Sequence, residues 1–313
     1  MTSEVTAKGT GTAGSASGQG ASRRHRAPVK RLMAPAVIFL LVWMIVPLGM
    51  TIYYSFQNYN LMMPMMRGFA GIGNYAILLT DATFWDALGN TLVLVVACLA
   101  VTVGLGLLLA LLFNATFIGR GVARTLAISP FFVMPVVTGL IWKNMLFHPV
   151  YGLISWAMRS LGFEPVDWLA HHPMLSIIIM ISWEWTPFAL LILLTGLQSL
   201  PEDQIEAVRL DGANKWQEFR HIVIPHLGQV LYVVVMLESI FFLTSFAEIY
   251  ATTSGGPGTA TTNLPYYIYL NAFFQYDIGL SSAAAIGAVI LANIFAIFLI
   301  RFVAGNLNAG SAR

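Results

Sequence analysis

Three carboxylates stand where carboxylates are costly. Glu184, Glu238 and Glu248 each fall inside a long apolar run. An ionisable side chain near the centre of a bilayer-spanning helix costs about 2.5–3.5 kcal/mol on insertion scales, so one that is kept there faces a bundle interior or a cavity. If residues 227–252 form one helix, 100° of rotation per residue gathers Glu238, Phe241, Ser245, Glu248 and Thr252 into an arc of about 80°. The pentapeptide WEWTP, from Trp183 to Pro187, sets Glu184 between the indoles of Trp183 and Trp185 beside a helix-kinking proline. Hydrogen-bonding groups beside flat apolar faces suit a ligand that carries many hydroxyls on a C–H skeleton. The plainer alternative is that the two indoles anchor at an interface while Glu184 pairs within the bundle. Asn293 is either a hydrogen bond between helices or a further polar group on the same path. Other chemistries lack their residues. The histidines have no metal-like spacing with Cys, Asp or Glu, and Cys98 is the only cysteine. Neither a Ser/His/Asp set nor a paired-carboxylate arrangement suggests catalysis. No Gly-x-x-x-x-Gly-Lys-[Ser/Thr] phosphate cradle occurs, so the chain is not expected to bind ATP in that manner or to be an enzyme.

The elements that must position these residues follow from composition. Hydrophobic residues make up 58% of the 313 and charged ones only 10%, against about 25% charged in soluble domains, and the mean hydropathy is +0.75. Such a chain belongs in a lipid bilayer. Its net charge of +2 is a weak bias, and nucleic acid is not expected as a partner. Crossing ~30 Å of hydrocarbon at 1.5 Å per residue takes about 20 apolar residues. Six stretches qualify: roughly 34–56, 87–113, 121–147, 174–198, 227–252 and 279–303. The third contains Pro130 and Pro135, so it must pack within protein, where neighbours can re-satisfy the freed carbonyls. With the amino terminus on the cytoplasmic side, only Arg67, Lys143 and Arg159 of the 16 Lys and Arg residues fall outside, as the positive-inside rule demands. Small-residue pairs at four-residue spacing, Gly106/Ala110, Ala283/Gly287 and Ala284/Ala288, suit close helix approach.

One polar insert interrupts this pattern on the cytoplasmic side. EAVRLDGANKWQEFRHIVIP, from Glu206 to Pro225, carries six charged residues between two of the most apolar segments. Pro201, Glu202 and Asp203 suit a first helical turn. A short helix over about 204–210 should follow, Gly212 can turn the chain, and a second helical piece over 215–221 should end at Pro225. This stretch resembles the cytoplasmic loop of the permease subunits of ABC importers, whose pattern is Glu-Ala-Ala, three residues, Gly, nine residues, then Ile-x-Leu-Pro. Glu206, Ala207, Gly212, Ile222 and Pro225 match at that spacing, while Val208 and Ile224 replace an Ala and a Leu. The likeness extends over most of residues 30–303. FAGIGNY (69–75) is similar to an outer-loop signature of the sugar-uptake branch, and SGGPGTATTNLPYYIY to its Gly-Gly-Pro loop. The stretches around WEWTP and FAEIYATTSGG most resemble permeases for sugar alcohols such as sorbitol and mannitol.

The resemblance implies an all-α integral membrane protein with six transmembrane helices and a cytoplasmic coupling helix between the fourth and fifth. Residues 1–30 would be a disordered basic cytoplasmic tail, 31–303 the permease domain with its coupling loop over 199–226, and 304–313 a second cytoplasmic tail. It implies that Glu206, Ala207, Arg209, Asp211, Gly212 and Ala213 seat on a partner ATPase, with Glu206 meeting a basic group there, Ala207 permitting close approach and Gly212 setting the bend. ATP and Mg would be held by two copies of that ATPase, not by this chain. A second, homologous permease would complete the channel. A periplasmic or extracellular binding protein would dock near Gly255, Gly256 and Pro257, for which an ordinary interhelical turn is the alternative. The polar stripe and WEWTP would line the translocation path for a sugar alcohol or small sugar; another sugar such as a disaccharide, or glycerol phosphate, is the alternative substrate. An ion-driven secondary transporter is a different class, and the inverted repeat with interrupted helices that it calls for is not found.

Overall fold

The structure is a computed structural model that describes residues 26–310; residues 1–25 of the tail expected over 1–30, and residues 311–313 of the one expected over 304–313, lie outside the described residues. The chain divides into two compact units after Met50. Helix α1, Arg26–Ser55, supplies all the described residues of the first and carries Pro35 and Pro47 within it. It begins inside the segment expected to be disordered. Residues 26–32 lack the Gly and Ser of the preceding tail, and a proline in the first turn sacrifices no hydrogen bond.

In the second unit a two-stranded antiparallel ribbon, β1 (Gln57–Asn58) with β2 (Gly68–Phe69), leads into α2 (Gly73–Thr80). FAGIGNY acts here as a staple: Asn74 Nδ2 donates to the carbonyls of Ser55 (2.9 Å) and Gln57 (2.8 Å), and the Tyr75 hydroxyl donates to Ser55 Oγ (2.8 Å). Helix α3 (Ala82–Asn114) starts at Asp81, whose carboxylate accepts from the Thr83 amide at 2.9 Å. Its 33 residues reach about 50 Å, well beyond the hydrocarbon thickness.

The third span departs from the straight helix expected over 121–147. Helix α4 (Arg120–Ile128) with its 3-10 extension to Phe132, and α5 (Pro135–Ile141) with its π extension to Leu146, meet at 104°. The cause is local. Pro135 holds Met134 extended (ψ 139°) and offers no amide, so the helix must stop and restart. Short helices α6 (Leu153–Ser160) and α7 (Trp168–His171) precede α8 (Pro173–Gln198). The insert supplies α9 (Glu202–Leu210) and α10 (Lys215–Glu218), and α11 (Ile224–Leu243) follows a π turn over Phe219–Val223. Pro225 therefore does not end the second helical piece. The π turn shifts the hydrogen-bond register ahead of the missing amide, and helix runs on from Lys215 to Leu243.

The fifth span also differs from expectation. It stops at Leu243 instead of running to residue 252, and α12 (Ala247–Thr252) restarts after three residues. The Thr244 hydroxyl bonds back to Ile240 and Phe241 carbonyls, and the freed Ser245 carbonyl accepts from Asn263 Nδ2. Hydroxyl side chains that compete for the backbone, plus one amide from a distant loop, decide the break. Helices α13 (Leu264–Tyr269) and α14 (Ile278–Gly310) complete the chain. Among the described residues five helices are long and apolar enough to cross a membrane, six if the bent pair is one span.

At the centre, α3 packs along α8. A Cβ on Gly106 would lie 2.6 Å from Ala189 Cβ and 3.1 Å from the Leu190 amide, and Ala110, Ala189, Leu190 and Leu193 are fully buried. In lipid no hydrophobic driving force separates helix from acyl chain, so this close van der Waals approach is what holds the pair.

Candidate functional site

The insert forms a rigid elbow built almost entirely from local hydrogen bonds. Helix α9 ends in a Schellman motif: the Gly212 amide donates to Arg209 O (3.1 Å) and the Ala213 amide to Val208 O (3.2 Å), with Gly212 at φ +84°. Two residues later α10 opens with a capping box. The Gln217 amide donates to Asn214 Oδ1 (2.9 Å) and the Asn214 amide to Gln217 Oε1 (2.8 Å). A two-pronged pair ties the helices together, Arg209 Nε to Glu218 Oε2 at 2.9 Å and Nη2 to Oε1 at 3.0 Å. That bond and the charge of Glu218 hold the guanidinium protonated even more firmly than usual.

Helix α9 is two-faced. Ile205 packs on a core of Leu197, Leu200, Val223 and Leu227, which fixes the elbow to the base of α8 and α11. Glu206, Ala207, Leu210 and Asp211 face outward. Arg209, expected among the partner-facing residues, is already engaged by Glu218, and Ala213 is half-buried. Two exposed apolar side chains went unread in the sequence: Leu210 (89% exposed) and Trp216 (64%). Their signal was an apolar residue at each end of a charged loop.

The expected polar stripe divides. Because α11 and α12 are separate helices, the 100° count cannot run from Glu238 to Thr252. Glu238, Glu184 and Glu248 are nonetheless all sealed inside the bundle, at 0%, 3% and 3% exposure. Glu238 Oε2 accepts from Thr102 Oγ1 at 2.6 Å and Glu248 Oε2 from Ser245 Oγ at 3.4 Å. The carboxyls of Glu184 and Glu248 interact electrostatically, and Cys98 feels both Glu248 and Glu238. Glu238 Oε1, Glu184 Oε2, Thr138 Oγ1 and Ser182 Oγ are buried without a well-formed hydrogen bond among the described residues, Thr138 lying beside Glu184 and Ser182 beside Cys98. Such a seam calls for water or a polar ligand. Thr102, Thr138 and Ser182 went unread because a lone hydroxyl in an apolar helix usually bonds back to its own turn.

The aromatics sort by side. Trp185 packs against Phe241 (ring centroids 4.5 Å), Phe188 (5.9 Å) and Phe131 (5.7 Å), and Phe241 remains 44% exposed. Trp183, two residues away on the helix, instead packs edge-on against Trp142 and lines an apolar groove with Leu105 and Pro187. Asn293 is exposed and its amide donates to Val289 O of its own helix.

The Gly-Gly-Pro loop is pinned to the start of α3. Asn90 Nδ2 donates to the carbonyls of Thr259 (2.8 Å) and Thr262 (2.9 Å), and Thr259 Oγ1 donates to Asp86 Oδ2 (2.9 Å). Gly255 is buried at φ +81°, where a Cβ would fall 2.5 Å from Thr262 Oγ1. Gly256 is half-buried, and only Pro257 of the three presents an exposed surface.

The family described as the inner membrane component of binding-protein-dependent transport systems matches residues 102–308. The chain belongs to this family. The matched part of this permease includes the elbow, the buried acids and the Gly-Gly-Pro loop. The permease is 37% identical over 266 residues to a protein of Sinorhizobium fredii described as a probable ABC transporter permease, covering 83% of this chain and 86% of that one. It is 33% identical to a trehalose/maltose transport system permease protein of Thermococcus litoralis, over 86% and 91% of the two chains. Its fold is that of a chain in the crystal structure of a bacterial alginate ABC transporter in complex with alginate pentasaccharide-bound periplasmic protein. There the TM-score is 0.73 at 21% identity, with 87% of this chain and 92% of that one covered.

Proposed function

We propose that this permease is one of two related membrane subunits of an ATP-driven importer that brings a small sugar or sugar alcohol into the cytoplasm. The observation that carries the reading is the outward face of α9, where Glu206, Ala207 and Leu210 stand exposed on an elbow locked to the spans. Two copies of a partner ATPase would hold ATP and Mg and grip this face. Glu206 would meet a basic group, and the small Ala207 would let the helices approach. Because the elbow is fixed through Ile205 and continuous with α11, a displacement of α9 is passed to the spans instead of being absorbed by a slack loop. Closure of the ATPases would open the path outward, and hydrolysis would return it inward.

The seam of Glu184, Glu238, Ser245 and Glu248 together with the Trp185–Phe241 face supplies donors, acceptors and flat apolar surface for a hydroxylated cargo. The name of the Thermococcus relative favours a disaccharide, and likeness over long apolar segments favours a sugar alcohol. The substrate class common to both is a small sugar or polyol. The protein would lie in the bacterial inner membrane with its amino terminus in the cytoplasm, and Pro257 would lie where an external binding protein docks. Glu206→Lys is expected to leave the protein folded and inserted while uptake stops and ATP hydrolysis runs uncoupled from cargo. Uptake at the wild-type rate would overturn the coupling role.

A further inference from the structure

A cavity of about 520 Å³ lies where the π extension of α5, the loop after it, α7 and the Gly-Gly-Pro loop come together. Its volume falls within the ~300–1,000 Å³ typical of small-ligand sites. Thr252, on its wall, sits one helical turn beyond the buried Glu248 and donates to that residue's carbonyl at 2.6 Å. On the topology of the proposed function, the cavity is the outer vestibule of the buried polar seam.

Its polar groups are half engaged, and the unengaged atoms include both donors and acceptors. Lys143 Nζ gives one hydrogen bond to Thr252 O (2.8 Å), which leaves two donors. Asn144 Nδ2 gives one hydrogen to Leu140 O, leaving its second hydrogen as a donor and Oδ1 as an acceptor. Asp167 Oδ1 caps α7 through the Ala170 amide, leaving Oδ2. His148 Nδ1 accepts from the Val150 amide at 3.2 Å, so in the neutral ring the proton sits on Nε2 as a donor. Tyr151 lies flat on His148, with ring centroids 3.4 Å apart and planes 14° from parallel, and is 67% exposed. Lys143 and Asp167 contribute one charge of each sign, which gives an anion no net advantage. Donors and acceptors on one wall beside a flat ring suit vicinal hydroxyls, each of which donates and accepts, on a C–H face that stacks.

We propose that this cavity is a receiving site for an uncharged polyhydroxylated molecule of one or two sugar rings, occupied before the cargo reaches the buried seam. The inference rests on the importer reading above. It is tested on the intact transport complex in lipid nanodiscs, without its binding protein, using a diazirine derivative of trehalose and peptide mass spectrometry. Label is expected in peptides covering 143–151 and 252–257, displaced by excess trehalose. It should fall roughly tenfold in Tyr151→Ala and only about two- to threefold in Tyr151→Phe, which keeps the stack. Label confined to other peptides of the chain would overturn the inference. So would a Tyr151→Ala variant that loses capture of the binding protein while its labelling is unchanged, because the surface would then be a protein-docking site. If the complex with its binding protein takes up none of a panel of hexoses, disaccharides and polyols, the importer-of-sugars reading itself fails and takes the inference with it. If uptake persists while the outer peptides stay unlabelled, the inference alone falls.

Discussion

Gly212 isolates a single physical term. It holds φ at +84°, and a Cβ built on it would meet nothing within 4 Å. Any penalty on substitution is therefore backbone strain, with no steric contribution. An L-residue in this region costs about 1–2 kcal/mol, a β-branched one more, and Asn less than most because it visits the left-handed region readily. The cost opposes closure of the Schellman motif, whose two hydrogen bonds end at the Gly212 and Ala213 amides. One to two kcal/mol shifts the ratio of closed to open elbow by about 5- to 30-fold. Hydrogen exchange at the Ala213 amide reads this ratio directly, since exchange proceeds through local opening. We expect Gly212→Ala to speed exchange there about 5- to 30-fold, Gly212→Val to speed it further, and Gly212→Asn to change it least. Amides in the middle of α8 should be unaffected, and uptake should decline in the same order. Equal exchange in the Asn and Val variants, or none altered by Ala, would refute the assignment of Gly212 as the backbone pivot.

At the α3–α8 contact, Gly106→Val must displace Ala189, whose Cβ would lie 2.6 Å from the first added carbon. A loss of about 1–3 kcal/mol is expected as a lowered melting temperature of the solubilised protein, partly restored by Ala189→Gly. Thr102→Val keeps the shape but removes the donor to buried Glu238; about 1–3 kcal/mol of stability should be lost, and Thr102→Ser should recover most of it by the same thermal assay. In a double-mutant cycle on Arg209 and Glu218, coupling measured by exchange at the elbow should weaken steadily as salt is raised, because the Arg209 side chain is 60% exposed. Coupling that is independent of salt would mean that packing of the arginine stem, not the ion pair, ties the two helices.

How much of this was legible depends on the range of the interactions. The elbow was read almost completely: the turn at Gly212, a helix before it and another after. Its turn and cap bonds join residues three to five apart and its ion pair residues nine apart, so the residues that decide it are close together in the chain. The breaks in the third and fifth spans differ in this respect. The first follows from Pro135 and its restriction of Met134, a signal present in the sequence but outweighed there by an apolar run of the right length. The second depends on Asn263, whose amide takes the Ser245 carbonyl from eighteen residues away, and no helical count could anticipate it. The same limit separated Trp183 from Trp185, which the helix turns toward different neighbours.

Apolar run length and local turn chemistry are properties of contiguous residues, and from them the sequence by itself determined a membrane bundle with one polar elbow. Which side each polar residue faces was decided only by tertiary structure. Glu238 meets Thr102 from another span, Arg209 is claimed by Glu218, and Gly255 fits beneath Thr262. A buried carboxyl or a crowded glycine is defined by the surfaces that close over it, and those surfaces come from segments far away in the chain.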